Sequence, residues 1–173
     1  DDVPSKNVQV KSGSPVTVKF ENDKNATLRI EKTDIVTGEP MENVEFSIVR
    51  DDGKTYGKYY TDKRGEINLE YMFPAGTYLI RETNTRKEYA LDTNVRKVTL
   101  DWGDDKLIEW ENYPLASIRI KKIDKENDEP MANVTFELFD PNKKSLGTYK
   151  TDAKGRIELN DMFLGGTTYY LKE

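Results

Sequence analysis

The sequence predicts an all-β protein made of tandem β-sandwiches, and three observations support this prediction. Short runs of alternating apolar and polar residues are separated by turn-forming sequences such as TGEP at 37–40, DKRG at 62–65 and PAG at 74–76. No long segment shows the periodicity of a helix. The chain also repeats itself at a fixed offset, so one small sheet-forming unit occurs more than once.

The repeat has an offset of 90 residues. The run GEPMENVEFSI at 38–48 matches DEPMANVTFEL at 128–138, and YYTDKRGEINLEYMFPAGT at 59–77 matches YKTDAKGRIELNDMFLGGT at 149–167. After one inserted residue, YLIRE at 78–82 matches YYLKE at 169–173. Several short strands at this spacing are typical of an Ig-like or prealbumin-like sandwich.

The same offset divides the chain into three segments. The run KFEN at 19–22 lies 90 residues before EWEN at 109–112, so residues 1–22 are predicted to be the terminal strands of a preceding repeat. Residues 23–115 are predicted to form one complete sandwich. Residues 116–173 are predicted to form a second sandwich that lacks its last strands.

Composition excludes several classes of function. Cysteine and histidine are both absent, which rules out disulfides, Cys/His zinc sites and His-based catalytic triads. The net charge of -5 argues against a nucleic-acid partner, and no apolar run is long enough to span a membrane. No cofactor or metal is expected, because DWGDD at 101–105 lacks EF-hand spacing and predicts a hairpin turn instead.

Strand alternation places three polar side chains of each repeat on inward faces. Lys32 shares its face with Leu28 and Ile30. Glu82 and Asn112 likewise end two other strands, in phase with apolar residues. The adjoining repeats supply the equivalent positions Lys122, Glu173 and Asn22.

These residue types in a dry interior point to a covalent cross-link. Burial lowers the pKa of a lysine and raises that of a glutamate, which gives a nucleophilic amine and a proton donor. Attack of the amine on the asparagine side-chain carbonyl expels ammonia and leaves an amide. The alternative is an ordinary salt bridge between Lys32 and Glu82, with Asn112 capping a turn. Recurrence of all three types at the 90-residue offset favours the cross-link.

At these residues the sequence resembles the Cna protein B-type domains (collagen-adhesin B-repeats) of Gram-positive surface adhesins and pilins. The shared motifs are Lys32 with Asp34, TGEPM at 37–41, VEFSI at 44–48, YLIRET at 78–83 and EN at 111–112. The chain departs from the family at 85–89, where TRKEY replaces A-P-x-G-Y and keeps only Tyr89.

The resemblance implies an intramolecular isopeptide bond between Lys32 and Asn112, with Glu82 as the catalytic acid. In residues 116–173 it implies Lys122 as the cross-linking lysine and Glu173 as the catalytic acid. In residues 1–22 it implies Asn22 as a cross-linking asparagine.

The predicted function is a structural stalk of a cell-wall-attached surface adhesin or pilus-like protein, extracellular on a Gram-positive bacterium. Its predicted partners are neighbouring repeats, and residues 1–22 predict head-to-tail association with a second molecule by strand addition. The alternative is direct binding of a host extracellular-matrix protein such as collagen. A turnover enzyme is not expected, because the one buried carboxyl group that the pattern places is used in the cross-link.

Overall fold

A computed structural model describes residues 5–13 and 15–173, and the prediction of an all-β fold is confirmed. Its strands are β1 (Ala26–Asp34), β2 (Glu45–Arg50), β3 (Thr55–Tyr60), β4 (Glu66–Phe73), β5 (Gly76–Asn84), β6 (Val95–Leu100), β7 (Asp105–Asn112), β8 (Ala116–Lys121), β9 (Thr135–Phe139), β10 (Ser145–Lys150), β11 (Arg156–Phe163) and β12 (Tyr170–Lys172).

The first seven strands form two sheets with a shared core. One sheet has the order β4-β1-β7 and the other has the order β3-β2-β5-β6. Strand β7 runs parallel to β1, and its register sets Lys32 opposite Trp110 and Asp34 opposite Asn112. The other pairings in these two sheets are antiparallel. The first and last strands of this unit are therefore direct neighbours.

Alternation along the strands supplies the core between these two sheets. In β1, Leu28 and Ile30 are buried while Arg29 and Glu31 are exposed. The burial of one face of each strand removes apolar surface from water, which is the main force that holds the two sheets together. The largest apolar members of this core are Trp110, Tyr78, Phe46 and Phe73.

Strands β8 to β12 form a smaller pair of sheets, ordered β11-β8 and β10-β9-β12. They pack around Leu138, Ile157, Leu159 and Phe163. Among the described residues, strands β1–β7 and β8–β12 pair only within their own groups. The domain boundaries at 22/23 and 115/116 stay a prediction.

Two local expectations differ from the structure. Residues 5–13 and 15–22 form no strand, although they were expected to be the terminal strands of a repeat. Residues 1–4 and Ser14, which belong to the same predicted segment, lie outside the described residues. The DWGDD sequence does form a turn, but it joins β6 and β7, which lie in different sheets. It is not a hairpin, because β7 crosses over to pair with β1.

Among residues 5–13 and 15–173, no helix is long and apolar enough to cross a membrane. The same residues contain no group of three or more acidic side chains arranged to hold a metal ion.

Candidate functional site

Lys32 is completely buried, near the end of β1. Its Nζ donates a hydrogen bond to the carbonyl oxygen of Thr33 at 3.0 Å and lies 3.2 Å from the sulfur of Met41. Burial lowers the pKa of Lys32 to about 8, although the negative charges of Glu82 and Asp92 oppose this shift. A substantial share of the amine is thus neutral, and nucleophilic, at mildly alkaline pH.

Glu82 and Asn112 meet in the same interior, where each is almost fully buried. The Nδ2 of Asn112 donates to Oε1 of Glu82 at 2.6 Å and to the hydroxyl of Thr85 at 3.0 Å. Oε2 of Glu82 and Oδ1 of Asn112 have no hydrogen-bond partner. Burial raises the pKa of Glu82, against the opposing effects of the Asn112 hydrogen bond and the Lys32 charge.

Two aromatic rings lie beside these polar groups. Trp110 is the neighbour of Lys32 across the β1–β7 pair, and Phe46 is the neighbour of Glu82 across the β2–β5 pair. The two rings meet edge to face at 5.0 Å between centroids. Both are fully buried. The interior beside Lys32 and Glu82 is therefore apolar, which accounts for the desolvation that shifts both pKa values.

The loop at 85–94 covers the end of β7 next to the site. The Tyr89 hydroxyl donates to Oδ2 of Asp34 at 2.8 Å, and backbone hydrogen bonds tie Ala90 to Tyr113 and Glu88 to Leu115. Burial alone would raise the pKa of Asp34, but hydrogen bonds, first that from Tyr89, outweigh it and lower the pKa. Although TRKEY departs from the family motif, its tyrosine anchors the loop to β1.

A cleft of about 820 Å³ opens beside Asn112, between this loop and the outward faces of β1 and β7. It is rich in carboxylates, with one arginine among them. The charged residues that line it are Glu31, Asp92, Arg96, Glu109 and Glu111. Asn112 is among the residues that line this cleft.

The second repeat reproduces only part of this site. Lys122 and Glu173 form an ion pair of 3.0 Å, with side chains that are 26% and 53% exposed. Asn22 lies in the exposed segment at 15–22, and no hydrogen bond of the described residues joins it to either partner. The structure therefore brings Lys32, Glu82 and Asn112 into one interior, and Lys122 with Glu173, but leaves Asn22 apart.

The site also includes two residues that strand alternation did not single out. Met41 places its sulfur against the Lys32 amine, and Thr85 accepts the second hydrogen bond of Asn112. Met41 belongs to the TGEPM motif and recurs as Met131, so its recurrence in the repeat could have identified it as a site residue. Thr85 lies three residues after Glu82, and neither strand alternation nor the repeat points to it.

A family model described as SpaA, prealbumin-like fold domain, matches residues 26–114 and, separately, residues 116–173. The chain belongs to this family. The resemblance to the Cna B-type, prealbumin-like domains is thereby confirmed, as is the expectation of a structural protein rather than an enzyme. Among curated proteins, no sequence matches this chain.

Solved structures share the fold of this SpaA-family chain at low sequence identity. A streptococcal ancillary pilin is 20% identical with a TM-score of 0.55, over 88% of this chain and 54% of the pilin. The Bacillus anthracis TIE protein is 22% identical with a TM-score of 0.50, over 78% of this chain and 26% of that protein. The chain thus spans about half of one relative and about a quarter of the other.

Proposed function

We propose that the chain is a stalk segment of a Gram-positive surface protein, and that a Lys32–Asn112 isopeptide bond stabilises residues 23–115. The observation that carries the proposal is the burial of an amine, a carboxyl group and a carboxamide in one interior. A salt bridge, the alternative for these residues, is formed by Lys122 and Glu173 among the described residues but not by Lys32 and Glu82. An unpaired buried ammonium is costly, and reaction removes that cost.

The reaction follows from the two shifted pKa values. Lys32 gives a proton to Glu82, which converts a buried ammonium and a buried carboxylate into a neutral amine and a neutral acid without a change in net charge. Rotation of the Asn112 side-chain amide by 180° then presents its oxygen to the acid, whose O–H polarises the carbonyl. The Nζ of Lys32 attacks Cγ of Asn112 and forms a new C–N bond.

Collapse of the tetrahedral intermediate breaks the bond between Cγ and Nδ2 of Asn112. Glu82 passes a proton to the departing nitrogen and takes one from the attacking nitrogen, so it ends this step as the neutral acid that it was just before the attack. One molecule of ammonia leaves for each amide formed. The cleft beside Asn112 provides its exit, and the carboxylates that line the cleft stabilise the ammonium that forms in water.

The strand order suits a load-bearing segment. Tension enters β1 at Ala26 and leaves β7 at Asn112, and these two strands are parallel neighbours. A bond from Lys32 to Asn112 carries the force from one strand directly to the other. The sheet pairs outside this path, together with the core, then bear no load. Membership of the family and the fold shared with an ancillary pilin support a role of this kind at the cell surface.

Intact-mass measurement tests the proposal. The wild-type chain should be lighter than its sequence by one ammonia per bond, and a tryptic digest should contain one branched peptide that joins Lys32 to Asn112. Glu82→Gln keeps the size of the side chain but removes the acid, so its mass should equal that of the unreacted sequence. Glu88→Gln, whose side chain accepts from Arg86 and makes no hydrogen bond to the three site residues, should react as the wild type does. A wild-type mass equal to the plain sequence would refute the bond.

Direct binding of a host matrix protein is the alternative from the sequence. No feature of the described residues favours it. A pull-down on collagen with the Glu82→Gln and wild-type chains tests it separately from the cross-link.

A further inference from the structure

The hydroxyl of Thr85 contacts the reacting carboxamide, although alternation along β5 would turn it away. Glu82 is buried, and a regular strand would place Asn84 on the same inward face and Thr85 on the outward face. In the structure, Thr83 and Asn84 are both exposed. Thr85 instead accepts a hydrogen bond from Nδ2 of Asn112 at 3.0 Å. The chain therefore changes phase between Glu82 and Thr85.

A β-bulge at the end of β5 produces this change of phase. In the β2–β5 pair, Phe46 lies opposite Glu82. The preceding residue of β2, Glu45, lies opposite Asn84, so Thr83 is an extra residue in β5. In a bulge of this kind, two residues of one strand oppose one residue of its partner, and the side chains that follow are re-aimed. Here the bulge turns the threonine that follows β5 toward the interior.

Glu45 holds the bulge in place from the outward face of the sheet. Its Oε1 accepts from the Thr83 hydroxyl at 2.5 Å and from Nζ of Lys58 at 2.7 Å. The hydroxyl of Tyr60 donates to Oε2. These hydrogen bonds, first that from Lys58, lower the pKa of Glu45 to about 2. The carboxylate therefore stays charged from mildly acidic to alkaline pH, and the bulge keeps its geometry over that range.

The re-aimed hydroxyl lies at both of the groups that react with Lys32. Nδ2 of Asn112 donates to Thr85 at 3.0 Å and to Oε1 of Glu82 at 2.6 Å. Burial raises the pKa of Glu82, and a hydrogen bond from Thr85 is among the smaller effects that oppose this rise. The hydroxyl is thus within reach of the carboxamide and of the acid.

Rotation of the Asn112 amide, which the proposed reaction needs, changes what Thr85 contacts. The oxygen and the nitrogen of a carboxamide exchange places when the group turns by 180°. Oδ1 then lies where Nδ2 lies in the structure, 3.0 Å from the Thr85 hydroxyl and 2.6 Å from Oε1 of Glu82. Hydrogen-bond donors at such distances stabilise a developing oxyanion. A hydroxyl donates as well as accepts, so Thr85 is able to donate to this oxygen.

We propose that Thr85 is a catalytic residue of the cross-linking reaction, whose hydroxyl donates to the oxygen of Asn112 while the Lys32 amine attacks. This inference rests on the proposed function. As the C–N bond forms, the electron pair of the C=O bond moves to the oxygen, and Glu82 and Thr85 both donate to it. The pair returns when the bond between Cγ and Nδ2 breaks. Thr85 keeps its proton throughout, so it stabilises charge and acts as neither acid nor base.

The rate of bond formation in three variants tests the proposal. Chains that are synthesised chemically and stored in denaturant have never folded, so they start unreacted. Dilution into buffer starts folding, which tryptophan fluorescence follows, and intact mass then follows the loss of ammonia.

Thr85→Val keeps the shape of the side chain but lacks the hydroxyl, and it should form the bond about a hundredfold more slowly than the wild type. Thr85→Ser keeps the hydroxyl and should react at close to the wild-type rate. Thr99→Val removes an exposed hydroxyl from β6 in the same sheet and should match the wild type. Thr85 is half-buried beyond the end of β5, so its substitution leaves the core intact, and circular dichroism verifies this.

The pH dependence separates a catalytic hydroxyl from one that only supports the packing. A threonine hydroxyl does not titrate in the range of the reaction, so Thr85→Val should lower the rate by the same factor at every pH. Both limbs of the pH profile should stay where they are in the wild type. A variant that disturbs the packing changes the burial of Lys32 and Glu82, and so moves the limbs.

Bond formation by Thr85→Val at the wild-type rate would overturn this inference and leave the proposed function intact. Equal slowing in Thr85→Val and Thr85→Ser, or displaced limbs, would also overturn it, because the shape of the side chain would then decide the rate. A wild-type chain that loses no ammonia would refute the proposed function itself, and the catalytic role of Thr85 with it.

Discussion

Glu82→Gln should lower the free energy of unfolding of the first unit by about 4.5 kcal/mol. The proposed bond joins Lys32 to Asn112 and closes a loop of 80 residue steps. In the chain-entropy treatment of cross-links, a loop of that length removes about 15 cal/mol/K from the unfolded chain, which gives the stated value at 25 °C. Because glutamine keeps an oxygen that can accept from Asn112, the hydrogen bond in the interior survives the substitution.

Tryptophan fluorescence during guanidinium unfolding reports this unit alone. The chain has two tryptophans, Trp102 and Trp110, and both lie between β6 and the end of β7. Trp110 is fully buried, so its emission will shift when the core opens. The measurement compares the midpoint and the slope of the wild-type and Glu82→Gln chains, with bond formation checked by mass on the same samples.

A double-substitution cycle separates the cross-link from the side chains themselves. Glu82→Gln and Asn112→Ala each abolish the whole bond. The free energy of unfolding of the double variant should therefore be only slightly lower than that of either single variant. The coupling energy should therefore approach the full value of the cross-link. Additive losses, or a loss below about 1 kcal/mol in Glu82→Gln, would refute the entropic reasoning.

Two further predictions concern the backbone and the pH. Gly65→Ala should destabilise the first unit by more than about 1 kcal/mol and slow bond formation. Gly65 has a φ of +74°, and a Cβ at this position would lie 2.3 Å from the carbonyl oxygen of Lys32. Gly53→Ala is the control for the effect of φ alone, because Gly53 has a φ of +89° but a Cβ there would meet no other atom. The rate of bond formation on refolding from denaturant, followed by mass, should be bell-shaped in pH. The reaction needs one proton shared between Lys32 and Glu82, so that the amine is neutral while the acid is protonated. The rate should fall above about pH 8, where this proton is lost, and at acidic pH, where both groups are protonated and the amine is no longer a nucleophile. A rate that still rises above pH 9 would contradict the role of the acid.

The inward positions of the site followed from the sequence because alternation in a strand has a period of two. Lys32, Glu82 and Asn112 each lie within the last three residues of a strand whose preceding inward residues are apolar, and each is buried in the structure. The internal repeat added the information that the pattern is not an accident of one strand. Which strands pair could not be read in this way, since alternation carries no signal about the neighbour across the sheet.

The local environment of the site depends on contacts distant in sequence, and the pattern did not predict them. The hydroxyl of Thr85 and the sulfur of Met41 reach the site through the packing of a loop and a turn. The turn at 101–104 was expected to close a hairpin, because a compact turn sequence does not reveal whether the next strand stays in the same sheet. For the same reason, residues 5–13 and 15–22 show a strand pattern but form no strand, since alternation does not reveal whether a pairing partner is present.

Mechanical unfolding provides the most direct test of the link between strand order and function. When single wild-type chains are pulled from both ends, the path through the first unit runs along β1, across the bond and out of β7, so residues 33–111 remain slack. No extension step from this unit should appear. In Glu82→Gln, the parallel β1–β7 pair is loaded in shear until its hydrogen bonds fail together, and the released segment should then add about 270 Å of contour length. The smaller unit, strands β8–β12, serves as the internal reference, because the substitution leaves its sheets untouched.

If the wild-type chain releases the same length as Glu82→Gln, the load does not pass through a Lys32–Asn112 bond, and the proposed role of the site in bearing tension is wrong.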